Sequence, residues 1–253
     1  MKLSVNLNKV ALLRNARGTG NPDVAMAART VLEAGAHGLT LHWREDERHA
    51  TAEDVRVCNQ VARDFGVEFN LEGDLREDIV NLAIELGVTQ LTLVPVKPGE
   101  VTSNHGWALP EETERLRTAI RRAKSVGVRT SIFVEPSPAV LPFLQATEAD
   151  RVEIYTLPWA EAFGTPEQDN VLGAISALVA GCDELGIGVN AGHDLDLKNM
   201  PLLAREVPNI AEVSIGHAIT CDALYIGLKE TIRRYLCAIR GEEVEAPTTW
   251  DRY

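Results

Sequence analysis

The sequence predicts one parallel (β/α)8 barrel over residues 1–240, followed by a C-terminal extension at 241–253. Three observations carry that prediction. Short β-rich runs alternate with longer helical patterns from end to end, as a parallel sheet wrapped by helices requires. Eight such runs can be counted, enough to close a barrel. A weak internal repeat joins helix to strand: EAGAHGLTLH, ELGVTQLTLV, SVGVRTSIFV and ELGIGVNAGH each end a helix with glycine, which supplies a left-handed cap, and enter a strand within about four residues. A chain of 253 residues with 45% hydrophobic content can build the single core this fold needs. No linker, low-complexity tract or composition break divides it.

The strand runs are 3–7, 38–43, 67–72, 90–96, 129–135, 151–156, 188–193 and 212–218. Each is mostly apolar and ends in polar or charged residues, the pattern of a buried strand that delivers side chains to a rim. Helical stretches lie near 22–36, 52–65, 74–87, 110–126, 137–147, 166–186, 198–206 and 220–240. Pro22-Asp23, Pro110-Glu111-Glu112 and Pro166-Glu167 place proline and acid in a first turn, where a missing N–H costs little and the helix dipole favours negative charge. The tail after Arg240, with Glu242, Glu243, Glu245 and Pro247, is expected to be solvated.

Composition narrows the partners. Lys and Arg number 25 against 37 Asp and Glu, a formal net charge of -12, so the average surface repels polyanions and nucleic acid is not expected as a partner. Cys58, Cys182, Cys221 and Cys237 form no C-x-x-C pair, which gives neither a disulfide framework nor a zinc ribbon and fits a reducing cytoplasm. The first residues lack the apolar core of a signal peptide, and no apolar run is long enough to span a bilayer, so no membrane partner is expected.

In a barrel of this kind the active site forms from the carboxyl ends of the strands and the loops after them. Those positions hold Asn6, Asn8 and Lys9 after the first strand, and His42, Arg44, Glu45, Asp46 and His49 after the second. Asn70 and Glu72 end the third, and Lys97 and Thr102 follow the fourth. Glu153 and Tyr155 lie on the sixth, Asn190 and His193 on the seventh, Ser214 and His217 on the eighth. NAGH at 190–193 and SIGH at 214–217 repeat one pattern, in which glycine lets backbone N–H groups approach an anion; plain turn glycines are the alternative. The forked guanidinium of Arg44, beside His42, suits bidentate phosphate binding. Arg14 and Arg17, in the glycine-rich LLRNARGTG, form either a loop that folds over an anion or a solvated basic loop.

His42 and His193 are candidates for acid–base work because imidazole titrates near neutral pH. Glu72 and Glu153 interrupt apolar strands, where a carboxylate is costly unless paired or functional, so they are either bases or ion-pair partners of Arg44. No metal is expected at His42, Glu45, Asp46, His49 and His193: the 42-to-49 spacing is no standard ligand motif, and Arg44 and Arg48 oppose a cation. His37 and His105 are expected on the surface or in loops, and Trp43, Trp107 and Trp159 in packing.

Taken together, VNLNKVALLRNARG at 5–18, LHWREDERH at 41–49, NLE at 70–72, LVPVKPGEVTSNHGW at 93–107, VEIYT at 152–156, VNAGH at 189–193 and SIGHAI at 214–219 resemble the pyridoxine 5′-phosphate synthase family of vitamin B6 biosynthesis. The resemblance implies condensation of 1-deoxy-D-xylulose 5-phosphate with 3-amino-2-oxopropyl phosphate, with no cofactor, in a homo-oligomer such as an octamer. By the same resemblance His42 and Glu72 are proton acceptors, His193 is the proton donor, and Glu153 assists charge or proton movement. Asn6, Arg17, Gly216 and His217 resemble the aminoketone phosphate site, and Arg44, His49 and Thr102 the pentulose phosphate site.

The chain departs from the family pattern at several substrate-site positions. Asn8-Lys9 stands where the family has Asp-His, Val96 where it has an acid, Asp194 where it has glycine, and Asp222 where it has arginine. Asn8 and Lys9 are nearest the expected pentulose, and Asp194 brings negative charge to an expected phosphate. Two other readings stand beside the synthase: an isomerase or aldolase on a related sugar phosphate, and a noncatalytic phosphometabolite-binding homologue.

Overall fold

The computed structural model describes residues 1–96, 103 and 105–247. Eight parallel strands close in sequence order: β1 (Lys2–Asn6), β2 (Gly38–His42), β3 (Glu68–Gly73), β4 (Gln90–Leu93), β5 (Arg129–Val134), β6 (Arg151–Ile154), β7 (Gly188–Gly192) and β8 (Ile210–Ile215). The first strand pairs with both β2 and β8, which completes the (β/α)8 barrel that the sequence predicts. Most strands stop one to three residues sooner than expected, because the rim residues turn away from the sheet into the loops.

Eleven helices are wrapped around the described barrel. They are α1 (Asn8–Asn15), α2 (Val24–Glu33), α3 (Ala52–Phe65), α4 (Glu77–Leu86), α5 (Thr113–Lys124), α6 (Leu141–Thr147), α7 (Leu157–Ala162), α8 (Gln168–Glu184), α9 (Met200–Glu206), α10 (His217–Ile226) and α11 (Leu228–Ala238). The glycines of the internal repeat are left-handed, for example Gly35 at φ 102° and Gly87 at φ 53°.

Four expectations are corrected. The loop expected after the first strand is largely helical: Arg14 belongs to α1, and its guanidinium is taken up by Asp54 on α3, with Nη2 to Oδ2 at 2.9 Å, so it is not a loop anion ligand. Pro110 and Pro166 precede their helices instead of opening them, and the acid before α2 acts as a cap, Asp23 accepting from Met26 N–H at 2.8 Å. The stretch expected at 220–240 starts earlier, at His217, and is divided by Gly227. The tail is not simply solvated: Val244 and Ala246 pack on the core, while Arg205 donates to Gly241 O and pairs with Glu243.

Alternation within the strands separates two interiors. Leu39, Leu41, Leu71 and Leu91 are fully buried in the core cluster, each stabilising the fold by about 1.5–3 kcal/mol relative to exposure. The intervening residues meet across the barrel axis side and are polar. Ser4 and Thr40 hydroxyls lie 2.7 Å apart, Asn70 Oδ1 accepts from Thr92 at 2.9 Å and Gln90 at 3.2 Å, and Arg151 donates to Asn190 at 2.9 Å. Such a network leaves few buried polar groups unsatisfied.

Candidate active site

The carboxyl ends of the strands surround a cavity of about 480 Å³, a volume suited to a small ligand. Asn6, Asn8, Lys9, His42, Arg44, His49, Glu72, Glu153, His193, Asp194, Gly216 and His217 all line it. Parallel pairing explains the convergence, since His42 faces Glu72 across β2 and β3, and Glu153 faces Asn190 across β6 and β7.

Two carboxylates on β3 show how environment divides their chemistry. Burial pushes the pKa of Glu68 up, but Arg129 and Lys2 outweigh it and hold it down at about 2. Glu72, on the same face four residues later, is raised to about 7 by burial. Its partners are distant: Asn6 Nδ2 and Asn70 Nδ2 at 3.4 Å, Ser214 Oγ at 3.5 Å and His42 Nδ1 at 3.9 Å. Glu153 is raised well above the usual carboxylate range, by burial first and then by Glu72 and Glu212, and its Oε2 is buried without a hydrogen-bond partner. One carboxyl is therefore poised near neutrality, while burial favours the protonated form of the second.

The imidazoles also differ. His42 falls to about 3, through burial and then Arg44, His49 and His193, and its Nε2 is a buried unpartnered atom. His49 falls to about 4, through burial and then Lys9, Arg48 and Arg44. His217 is lowered by burial, Lys9 and His193. Burial also opposes the charged ring of His193, but Asp194 and Glu72 outweigh it and raise the group.

Asn8 is more than a rim residue. Its Nδ2 donates to His42 O at 3.1 Å and its Oδ1 accepts from His42 N–H at 2.9 Å, so both ends of the carboxamide position β2. Lys9 has no ion pair among the described residues, although its charge reaches His49, His193 and His217. Arg44 packs with Asp46, Nε to Oδ1 at 3.3 Å.

Gly216 is the residue before α10, whose amino-terminal amides border the cavity. A Cβ on Gly216 would come within 2.8 Å of Asn6 O, so a side chain there displaces the first strand or the helix start.

Arg17 is exposed beyond α1 and does not line the cavity, and Thr102 and Lys97 lie outside the described residues. Lining residues that sequence reasoning passed over include Ser103, Asp196, Lys198, Cys221 and Ala246. Cys221 was detectable in principle, four residues after His217 on one helix, and its Sγ lies 3.6 Å from His217 Nε2. Ala246 gave no local signal, because it reaches the cavity only by the return of the tail.

The model of the family described as "Pyridoxal phosphate biosynthesis protein PdxJ" matches residues 3–241. The pyridoxine 5′-phosphate synthase of Albidiferax ferrireducens is 45% identical over 247 residues, covering 95% of this chain and 98% of that protein. That of Chelativorans sp. is 44% identical over 243 residues, covering 94% and 98%. Among solved structures, a tryptophan synthase from M. tuberculosis has a TM-score of 0.62 at 13% identity, covering 94% of this chain and 92% of its own, and is alike in fold alone. With a barrel, a rim cavity and relatives matched over nearly their full length, the chain belongs to the PdxJ family of pyridoxal phosphate biosynthesis proteins.

Proposed function

We propose that the chain is a pyridoxine 5′-phosphate synthase, joining 1-deoxy-D-xylulose 5-phosphate to 3-amino-2-oxopropyl phosphate and releasing inorganic phosphate and water. The observation that carries this reading is the set of proton-transfer groups with divergent acidities, Glu72, His42, Glu153 and His193, around one cavity. The amine must lose a proton to attack the ketone, the departing oxygens must gain protons, and ring closure needs a further base. Glu72 accepts when ionised, neutral His42 accepts transiently, His193 donates, and Glu153 holds a proton in the interior and exchanges it with the site.

Asn6, Gly216 and His217 hold the aminoketone phosphate, Asp194 borders it, and Arg17, outside the cavity in the ligand-free chain, joins it from the loop after α1 when the phosphate binds. Arg44 and His49, with Thr102, hold the pentulose phosphate, while Lys9 adds a second cation and Asn8 acts there by positioning His42. No helix of the described residues is long and apolar enough to cross a membrane; we place the enzyme in the cytoplasm, as a homo-oligomer, an octamer. Purified protein incubated with both substrates is expected to form pyridoxine 5′-phosphate and phosphate together. Turnover of a sugar phosphate without ring product, or ligand binding without turnover, would overturn the assignment.

Two substitutions test the anion sites. Gly216→Val is expected to weaken binding of 3-amino-2-oxopropyl phosphate by about 10–100-fold, equivalent to one charge-assisted hydrogen bond; calorimetric titration giving unchanged affinity removes the α10 terminus from the site. Asn8→Asp/Lys9→His is expected to change the ranking of pentulose analogues by kcat/KM, because it removes a permanent cation and the Asn8 donor to His42 O. An unchanged ranking shows that these two positions do not set specificity.

A further inference from the structure

Four imidazoles line the cavity, and among the described residues only His193 has a carboxylate at close hydrogen-bond distance: its Nδ1 lies 2.7 Å from Asp194 Oδ2, against 3.9 Å between His42 and Glu72. The backbone holds this pair firmly. His193 N–H donates to Ser214 O at 3.0 Å, Asp194 N–H is 2.9 Å from Gly192 O and 3.2 Å from Thr156 Oγ1, and Asn199 Nδ2 donates to Asp194 O at 3.2 Å. Thr156 in turn donates to Gly192 O, tying the end of β7 to the loop after β6. His193 adopts φ 63°, a left-handed conformation uncommon outside glycine, and that turn presents ring and carboxylate side by side.

We propose that Asp194 is a positioning residue that accepts the Nδ1–H of His193, fixes the ring's tautomer and orientation, and makes Nε2 the nitrogen that delivers a proton into the cavity. The inference rests on the reading of His193 as proton donor. In the transfer the Nε2–H bond breaks and an O–H bond forms on the departing oxygen. The neutral ring keeps its Nδ1–H, hydrogen-bonded to Asp194. Other groups acting on His193 include Glu72 from β3, Lys9 from α1, His42 from β2 and His217 from α10. Glu72 favours the imidazolium and Lys9 opposes it, so Asp194 favours the charged ring beside three imidazoles whose pKa values burial and neighbouring cations lower.

The direct test is an NMR pH titration of the His193 ring in ligand-free wild type, Asp194→Asn and Asp194→Glu. The Asn variant preserves shape and removes the charge, so the His193 midpoint is expected to fall by about one pH unit or more. The Glu variant should recover part of that shift. In assays of ring formation the alkaline limb of kcat/KM, where the donor loses its proton, should move to lower pH by the same amount while the acid limb stays in place. A His193 midpoint unchanged in Asp194→Asn overturns the inference, and a lowered midpoint with an unmoved alkaline limb overturns proton delivery through Nε2. Wild type that forms no ring product overturns the functional reading instead, and the ligand-free titration still decides the pair. Should Asp194→Asn fail to fold, Asp194→Ser serves in the same titration.

Discussion

Glu72→Gln is expected to lower formation of pyridoxine 5′-phosphate by roughly 10²-fold or more at pH 8, with a smaller change in substrate binding. The amide keeps the shape of the carboxyl and its long contacts to Asn6 and Ser214 but cannot accept the proton. The pH dependence follows in sign. A base works when deprotonated, and burial raises Glu72 to about 7, so wild-type kcat/KM should decline as pH falls through that region. In the variant this limb should disappear along with most of the rate. Near-normal turnover in Glu72→Gln would remove Glu72 from the mechanism.

His193→Asn is expected to reduce kcat by about 10²–10⁴-fold, the usual contribution of a positioned acid. Asparagine suits this test because it tolerates the left-handed backbone seen at His193, so the loop is preserved while the donor is lost. Single-turnover kinetics should place the loss in a chemical step, with ligand affinity changed little. A kcat close to wild type would assign the donor role elsewhere, with Glu153, whose burial favours the protonated form, the next group to test.

Much of the candidate site was legible because a parallel barrel sends all its strands toward one rim. Once 38–43 and 188–193 are read as strands, His42 and His193 must share that rim whatever the loops do. What lay beyond reach depended on contacts between distant segments. Arg14 looked like a loop cation until Asp54, 40 residues away, neutralised it in α1. Asn8 looked like a ligand for substrate, yet its carboxamide spans the backbone of His42. The tail looked solvated because three of its residues are glutamate, whereas Val244 and Ala246 between them pack inward.

The sequence by itself determined the barrel, the order of its strands, the glycine-capped helix ends and the strand-end residues of the rim, since these follow from periodicity and local backbone preference. Tertiary structure alone decided which face of each strand is polar toward the barrel axis and what acidity each rim group has. Glu68 and Glu72 are both strand glutamates, but Arg129 and Lys2 hold one at about 2, while burial outweighs His193 and Ser214 and raises the other to about 7. His193 and His42 likewise differ because one ring meets a carboxylate at 2.7 Å and the other does not. Desolvation and Coulomb interactions vary with distance in space, which separation along the chain does not encode.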